Sequence, residues 1–344
     1  MASSDGAALA DRCDDRLSRH GSSVEAVGGR FAQRPVTVHF QPDRVVARGP
    51  HAGRLTIDGL LADGTFENQF VTGTSSGSVD AGRDGRRHAW EDRLFGSAYR
   101  CLPDGDRPRY GTLDPSSHSD GGTVGFGSCH LVLRPEVNRR STYCLGDSHE
   151  LPELVGVDGE MDALVCHLVD EVVRHGTVLG RTLGSDALAS LLAALGATSA
   201  GPGRIIDGYL EAQVHGGIDI GADVSTLVAD DSFLGTRVGD GLEQLAGHAG
   251  VPLRWEPGPS LSIDDLPADF ELRGEAHDLA ALGSLGRAVT AAFADDGRLS
   301  ARVIGDGARS AVFEPQRWQR WGDPGDVLQL HKQLWKATVV VGER

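Results

Sequence analysis

The stretch Tyr209-Leu210-Glu211-Ala212-Gln213-Val214-His215 narrows most what this chain can fold into. Apolar and polar residues alternate through it without a break. An extended strand sends successive side chains to opposite faces, so Leu210, Ala212 and Val214 share one face. Tyr209, Glu211, Gln213 and His215 share the other. A helix would scatter both sets around its circumference. One face belongs to a core; the other, with a carboxylate, an amide and an imidazole, either meets solvent or walls a site. Gly216 and Gly217 follow it and allow close backbone approach.

Other segments repeat the strand pattern. Val36-Thr37-Val38-His39-Phe40 is β-branched and alternating, and Pro42 ends it. Gln69 to Ser75 reads as a second short strand running into a Ser/Gly loop. Arg109–Leu113, Cys129–Leu133, Ser141–Leu145, Val224–Ala229 and Val251–Trp255 read as further strands. Leu60 to Gly64 reads as the end of a helix or strand with an Asp-Gly turn, and Ala89 to Phe95 as helical. Residues 159–197 carry two helices, the second capped by Ser185 or Asp186. Another helix holds Leu242 and Leu245. Short strands with helices inserted in blocks, without strict β–α alternation, indicate the α+β class. The resulting division is a helical or partly ordered lead-in over 1–34, a core over 35–257 with a helical insertion at about 159–200, and a C-terminal helical region over 258–344 packed on that core.

A formal net charge of -16 disfavours broad phosphate contact, so no bulk nucleic-acid-binding surface is expected. No stretch approaches the ~20 apolar residues of a membrane span. Five cysteines without a CxxC pair read as free thiols of a reducing compartment, and the N-terminus lacks the apolar run of a signal peptide. The expected location is the cytoplasm, although a specialised export route would leave the same trace. No metal is expected: Cys129/His130 and Cys166/His167 are adjacent pairs without zinc spacing. No GxGxxG, P-loop, GxSxG or HExxH pattern is present.

Four blocks spend polar residues and glycine in or beside strands. His39 sits with Thr37 on the polar face of the first strand. Thr72-Gly73-Thr74-Ser75 offers hydroxyls and free backbone N–H groups for an anion or a ribose. Tyr110 follows Arg107-Pro108-Arg109, where an exposed ring could stack on a planar ligand. The fourth block is the Glu211 strand, and Asp147, Ser148, His149 and Glu150 form a further polar cluster. Each block also has an ordinary reading, as a core histidine, a Ser/Gly loop, a loop-anchoring tyrosine or a solvated sheet face.

In these blocks (VTVHFQPDR, QFVTGTSSG, RPRYGTL with FGSCHLVL and RSTYCLGDS, YLEAQVHGGIDI with DVSTLVADDSFLGT) the chain resembles a family of functionally uncharacterised bacterial proteins. The order of a first-strand His, a Thr/Ser cluster and a later strand Glu is also similar to the signature of the ADP-ribosyltransferases. That resemblance implies a split β-sandwich core with inserted and flanking helices, and NAD as the substrate. It implies that His39 contacts the adenosine-side ribose or pyrophosphate, and that Thr72, Gly73, Thr74 and Ser75 shape the nicotinamide pocket. It makes Glu211 the catalytic carboxylate beside Gln213, with Tyr110 and Tyr209 lining the ligand. Position 209 is Tyr where arginine-directed members carry Glu or Gln, so an arginine acceptor is not implied. The acceptor stays open: protein, nucleic acid or water. Two other readings remain, a hydrolase using Glu211, His215 and Asp147 as acid–base groups, and a binding module without chemistry.

Overall fold

A computed structural model describes residues 4–74, 85–148, 152, 154–178, 181–182, 186–196, 201–268, 270–272, 275–276 and 278–343. Eight strands form one mixed sheet: β1 (Val36–Phe40), β2 (Arg109–Leu113), β3 (Cys129–Leu133), β4 (Ser141–Leu145), β5 (Gly156–Val157), β6 (Leu210–Val214), β7 (Val224–Asp230) and β8 (Leu253–Glu256). Their order across the sheet is β8-β7-β3-β1-β2-β6-β4-β5. All neighbours run antiparallel except β7 and β8. The chain is thus mixed α/β, built on a large mixed sheet.

The alternation of each strand sorts the faces. The register sets Val38 opposite Leu131 and Gly111 opposite Ala212, and all of these lie on the apolar face. The other face carries Thr37 opposite Thr112, Thr112 opposite Glu211, and Glu211 opposite Cys144. Helices among the described residues include α1 (Ser4–Ser18), α2 (Val24–Ala32), α3 (Thr56–Asp63), α4 (Gln69–Thr72), α5 (Arg86–Leu94), α6 (Asp162–His175), α7 (Ala187–Gly196), α8 (Arg237–Ala249), α9 (Leu279–Phe293), α10 (Ala301–Phe313) and α11 (Pro324–Val341). The lead-in is therefore helical. Asp186, whose carboxylate accepts the Ala189 N–H, starts α7. Gly64, at φ 66, ends α3 in the left-handed conformation that glycine enters without penalty.

One element differs from its sequence reading. Gln69 to Thr72 is a helical turn and not a strand. The Asn68 side chain accepts the N–H groups of Phe70 and Val71, and its amide donates to the carbonyls of Asp104 and Arg107. Gly73, at φ 64, closes the turn. A capped turn with two distant anchors outweighs the strand preference of Phe-Val-Thr. Ser75, His149 and Glu150 lie outside the described residues.

The C-terminal helices share the core of the sheet. Leu285, Val289, Leu334 and Trp335 belong to the same buried cluster as Val38 and Leu131. The Trp335 indole N–H donates to the Val124 carbonyl at 2.9 Å, and the Arg204 guanidinium reaches the Gly342 carbonyl.

Candidate functional site

Alternation places Glu211 and Gln213 on the polar face of β6, and both are shut away from water. Glu211 is 5% exposed and Gln213 is fully buried. The Ser148 backbone N–H donates to one carboxylate oxygen at 3.2 Å, and the Gln213 amide N–H donates to the other at 2.7 Å. The Cys144 thiol lies 4.0 Å from that second oxygen. Burial, reinforced by the negative charge of Asp147, pushes the Glu211 carboxyl up to about 7. The two hydrogen bonds oppose that rise without cancelling it. A binding module with Glu211 on an open flat surface does not match this placement.

His39 is on the same face, two strands away and two residues along. Strand spacing puts its Cα about 12 Å from that of Glu211. Its Nδ1 faces the Gly127 carbonyl at 3.0 Å and its Nε2 faces the Thr123 N–H at 3.4 Å. The ring is therefore neutral, with Nδ1–H donating and Nε2 accepting. Burial lowers it to about 4. Gly121 and Gly122 cover this part of the face. A Cβ on Gly121 would fall 2.5 Å from His39 Nε2, and one on Gly122 would fall 2.3 Å from Thr112 Oγ1. Backbone without side chains is what fits there.

A cleft, open to solvent, lies at the C-terminal end of β1. His39, Phe40, Arg44, Arg48, Thr72 and Thr74 are among its lining residues. The ends of two sequence blocks thus meet in one cavity, because α4 folds back against the segment after β1: the Ala47 and Arg48 N–H groups donate to the Thr72 carbonyl. Gly73 packs on the Arg48 side chain. Arg44 Nη1 is excluded from solvent and has no hydrogen-bond partner. Glu211 is not a lining residue of this cleft.

The tyrosines are placed differently from their sequence reading. Tyr110 is in β2, half-buried, and its hydroxyl donates to Glu91 at 2.9 Å while accepting from the Trp90 indole. Its hydroxyl is thus committed inside the protein, and no exposed stacking ring stands there. Tyr209 is 3% exposed and packs against the edge of Phe126, so it presents no open surface to a ligand.

Sequence reasoning gave no role to Thr142, Cys144, Tyr99 or Arg44, although Thr142 and Cys144 lie in the RSTYCLGDS block and Arg44 in VTVHFQPDR. The alternation of Ser-Thr-Tyr-Cys-Leu already sets Thr142 and Cys144 on one face of β4. What it does not reveal is that β4 pairs with β6, which brings that face beside Glu211.

The family model described as "Protein of unknown function (DUF3626)" matches residues 35–341. The chain belongs to this family. The match starts one residue before β1 and runs through α11, so the family's unit takes in the C-terminal helices as well as the sheet. No curated protein matches the chain. Among the described residues, no group of three or more His, Cys, Asp or Glu could hold a metal, and no helix is long and apolar enough to cross a membrane.

Proposed function

We propose that the chain cleaves the nicotinamide–ribose bond of NAD, as an ADP-ribosyltransferase or NAD glycohydrolase with Glu211 as its catalytic carboxylate. The observation that carries this reading is the placement of Glu211. It is a water-shielded carboxylate held by two donors, on the same sheet face as His39 with the single strand β2 between their strands. The cleft supports it: Arg44 and Arg48 bring positive charge for a pyrophosphate and Phe40 brings an apolar wall, while the Thr72 and Thr74 hydroxyls donate to the Asn68 and Thr72 carbonyls. In this reading the adenine half fills the cleft and the nicotinamide half reaches toward Glu211. His39, with both ring nitrogens spent on the protein, shapes the wall and does not touch the ligand.

Chemically, the bond between nicotinamide nitrogen and ribose C1′ breaks, and nicotinamide leaves neutral with the bonding pair. The ribose carries oxocarbenium charge, as at any glycosidic centre. An ionised Glu211 stabilises that charge, strongly so in a low-dielectric site. The acceptor then bonds to C1′ and gives up a proton.

A specific observation favours a second reading. Burial, together with the charge of Asp147, raises the proton affinity of Glu211, and Glu211 stands apart from the cleft. A carboxyl still protonated near neutral pH serves as a general acid in a hydrolase that does not use NAD. The two readings differ in pH dependence. An electrostatic Glu211 gives activity that rises with pH through about 7, and an acid Glu211 gives activity that falls there.

The test is nicotinamide release from NAD by wild type and by Glu211→Gln between pH 5.5 and 9. The expected result is release by wild type, reduced about 10²–10³-fold in the variant. No release together with no NAD binding by calorimetry overturns the reading.

A further inference from the structure

Gln213 could face Glu211 with either end of its amide. The surroundings decide which. His215 has partners at both ring nitrogens: the Tyr99 hydroxyl at Nδ1, and the Thr142 hydroxyl at Nε2, 3.1 Å away. The Thr142 hydroxyl is also 2.8 Å from Gln213 Oε1. Burial, aided by the positive charge of Arg140, holds the imidazole below its usual pKa and therefore neutral. A neutral ring has one donor nitrogen and one acceptor. Tyr99, raised by burial and by Glu91, stays a phenol with a proton to give.

These facts fix every direction. With Glu211 ionised, Gln213 must turn its N–H to the carboxylate, because its carbonyl there would face another oxygen that has no proton to give. Its carbonyl then accepts the single proton of Thr142. Thr142, having spent that proton, accepts from His215 Nε2–H. His215 Nδ1 in turn accepts from Tyr99. The protons point one way, from Tyr99 to Glu211, across β6, β4 and the turn that follows α5.

We propose that Thr142, His215 and Tyr99 are positioning residues for Glu211, acting through the amide of Gln213. Their significance for turnover rests on the reading of Glu211 as the reacting carboxylate; the arrangement itself does not. None of the three touches the carboxylate. Each has one mobile proton, so a change at the outer end travels inward. Without the Tyr99 hydroxyl, His215 is free to carry its proton on Nδ1. Nε2 then becomes an acceptor, Thr142 turns its proton to it, and Gln213 loses the donor that holds its amide in place. A carbonyl facing Glu211 favours the protonated carboxyl.

The experiment is an infrared titration of the Glu211 carboxyl in the full chain, with Glu211→Gln subtracted as the blank. The proteins are wild type, Thr142→Val, Thr142→Ser and Tyr99→Phe. Valine keeps the shape of threonine and removes its proton; serine keeps the proton. The expected result is a Glu211 midpoint about one pH unit higher in Thr142→Val, a tenfold change in ionisation. Tyr99→Phe shifts the same way by less, and Thr142→Ser stays at the wild-type value. Side chains that only pack would leave all four midpoints equal, and that outcome overturns the proposal. Should Thr142→Val not fold, Tyr99→Phe decides alone, since its ring and its stack on His215 remain. Shifted midpoints in a chain that does not turn over NAD would reject the NAD reading and uphold the positioning.

Discussion

His39 and His130 stand directly opposite each other on the β1–β3 ladder, with ring centroids 4.8 Å apart and planes 28° apart. Both are buried, and burial drives both below the ordinary histidine range: His39 to about 4, and His130 well below. The ring that protonates first repels the other, as the influence of His39 on His130 records. The pair contributes its full stability above about 6.5, where the unfolded chain also keeps its histidines neutral. That stability falls as the pH drops toward 4, because the unfolded chain takes up protons that the fold refuses. His130→Gln should flatten this acid limb. Urea midpoints at pH 7 and pH 5 measure it: the wild type loses more between the two than the variant, and equal losses reject the account.

Glu211 has the opposite sign. Its folded value of about 7 lies above its ordinary 4.5, so the fold prefers it protonated. Stability from this group is present below about 4.5 and is lost as the pH rises through 7. Glu211→Gln never bears the charge. The variant should melt higher than wild type at pH 8, and the gap should close at pH 4. An increase in Tm accompanied by loss of turnover is the behaviour of a residue held in place for chemistry; lower stability at pH 8 would contradict it.

Arg107 and Glu91 form a buried ion pair at 2.5 Å, with Arg107 also lying over the Phe70 ring and Glu91 accepting the Tyr110 hydroxyl. Removing one partner strands the other charge away from water. Arg107→Met should cost about 3–5 kcal/mol in urea unfolding. Adding Glu91→Gln should recover part of that loss. A double variant as unstable as the sum of its single changes would show that the two side chains act separately.

The sheet was largely legible because its strands alternate. β6 and β1 were visible from Glu211 and His39 outward, and the helices over 159–197 from their i/i+4 spacing. The stretch at Thr72 was not. Its β-branched residues suggest a strand, but Asn68 turns them into a helix by bonding to Asp104 and Arg107, some 40 positions on. Local pattern holds no record of such an anchor. The site was legible in the same partial way. Glu211 and Gln213 follow from alternation alone. Thr142, Tyr99 and Ser148 reach them through strand pairing and turns that only the folded chain specifies. Tyr110 looked available because it follows a proline; the strand it belongs to aims its hydroxyl at Glu91.

The cover over the histidine pair has a consequence for the order of events during synthesis. Gly121 and Gly122 lie on His39 and Thr112, and the same turn is clasped from outside by Trp335, 211 positions beyond its partner Val124. All eight strands are made by residue 256, long before α11 emerges. A nascent chain therefore passes through a stage in which every strand of the sheet has been made and the clasp has not. Until α11 arrives, the turn over the two imidazoles lacks the Trp335 bond to Val124. Chain translated only that far should be more open to acid and to proteases than the full chain, and arrival of the last helix closes that window.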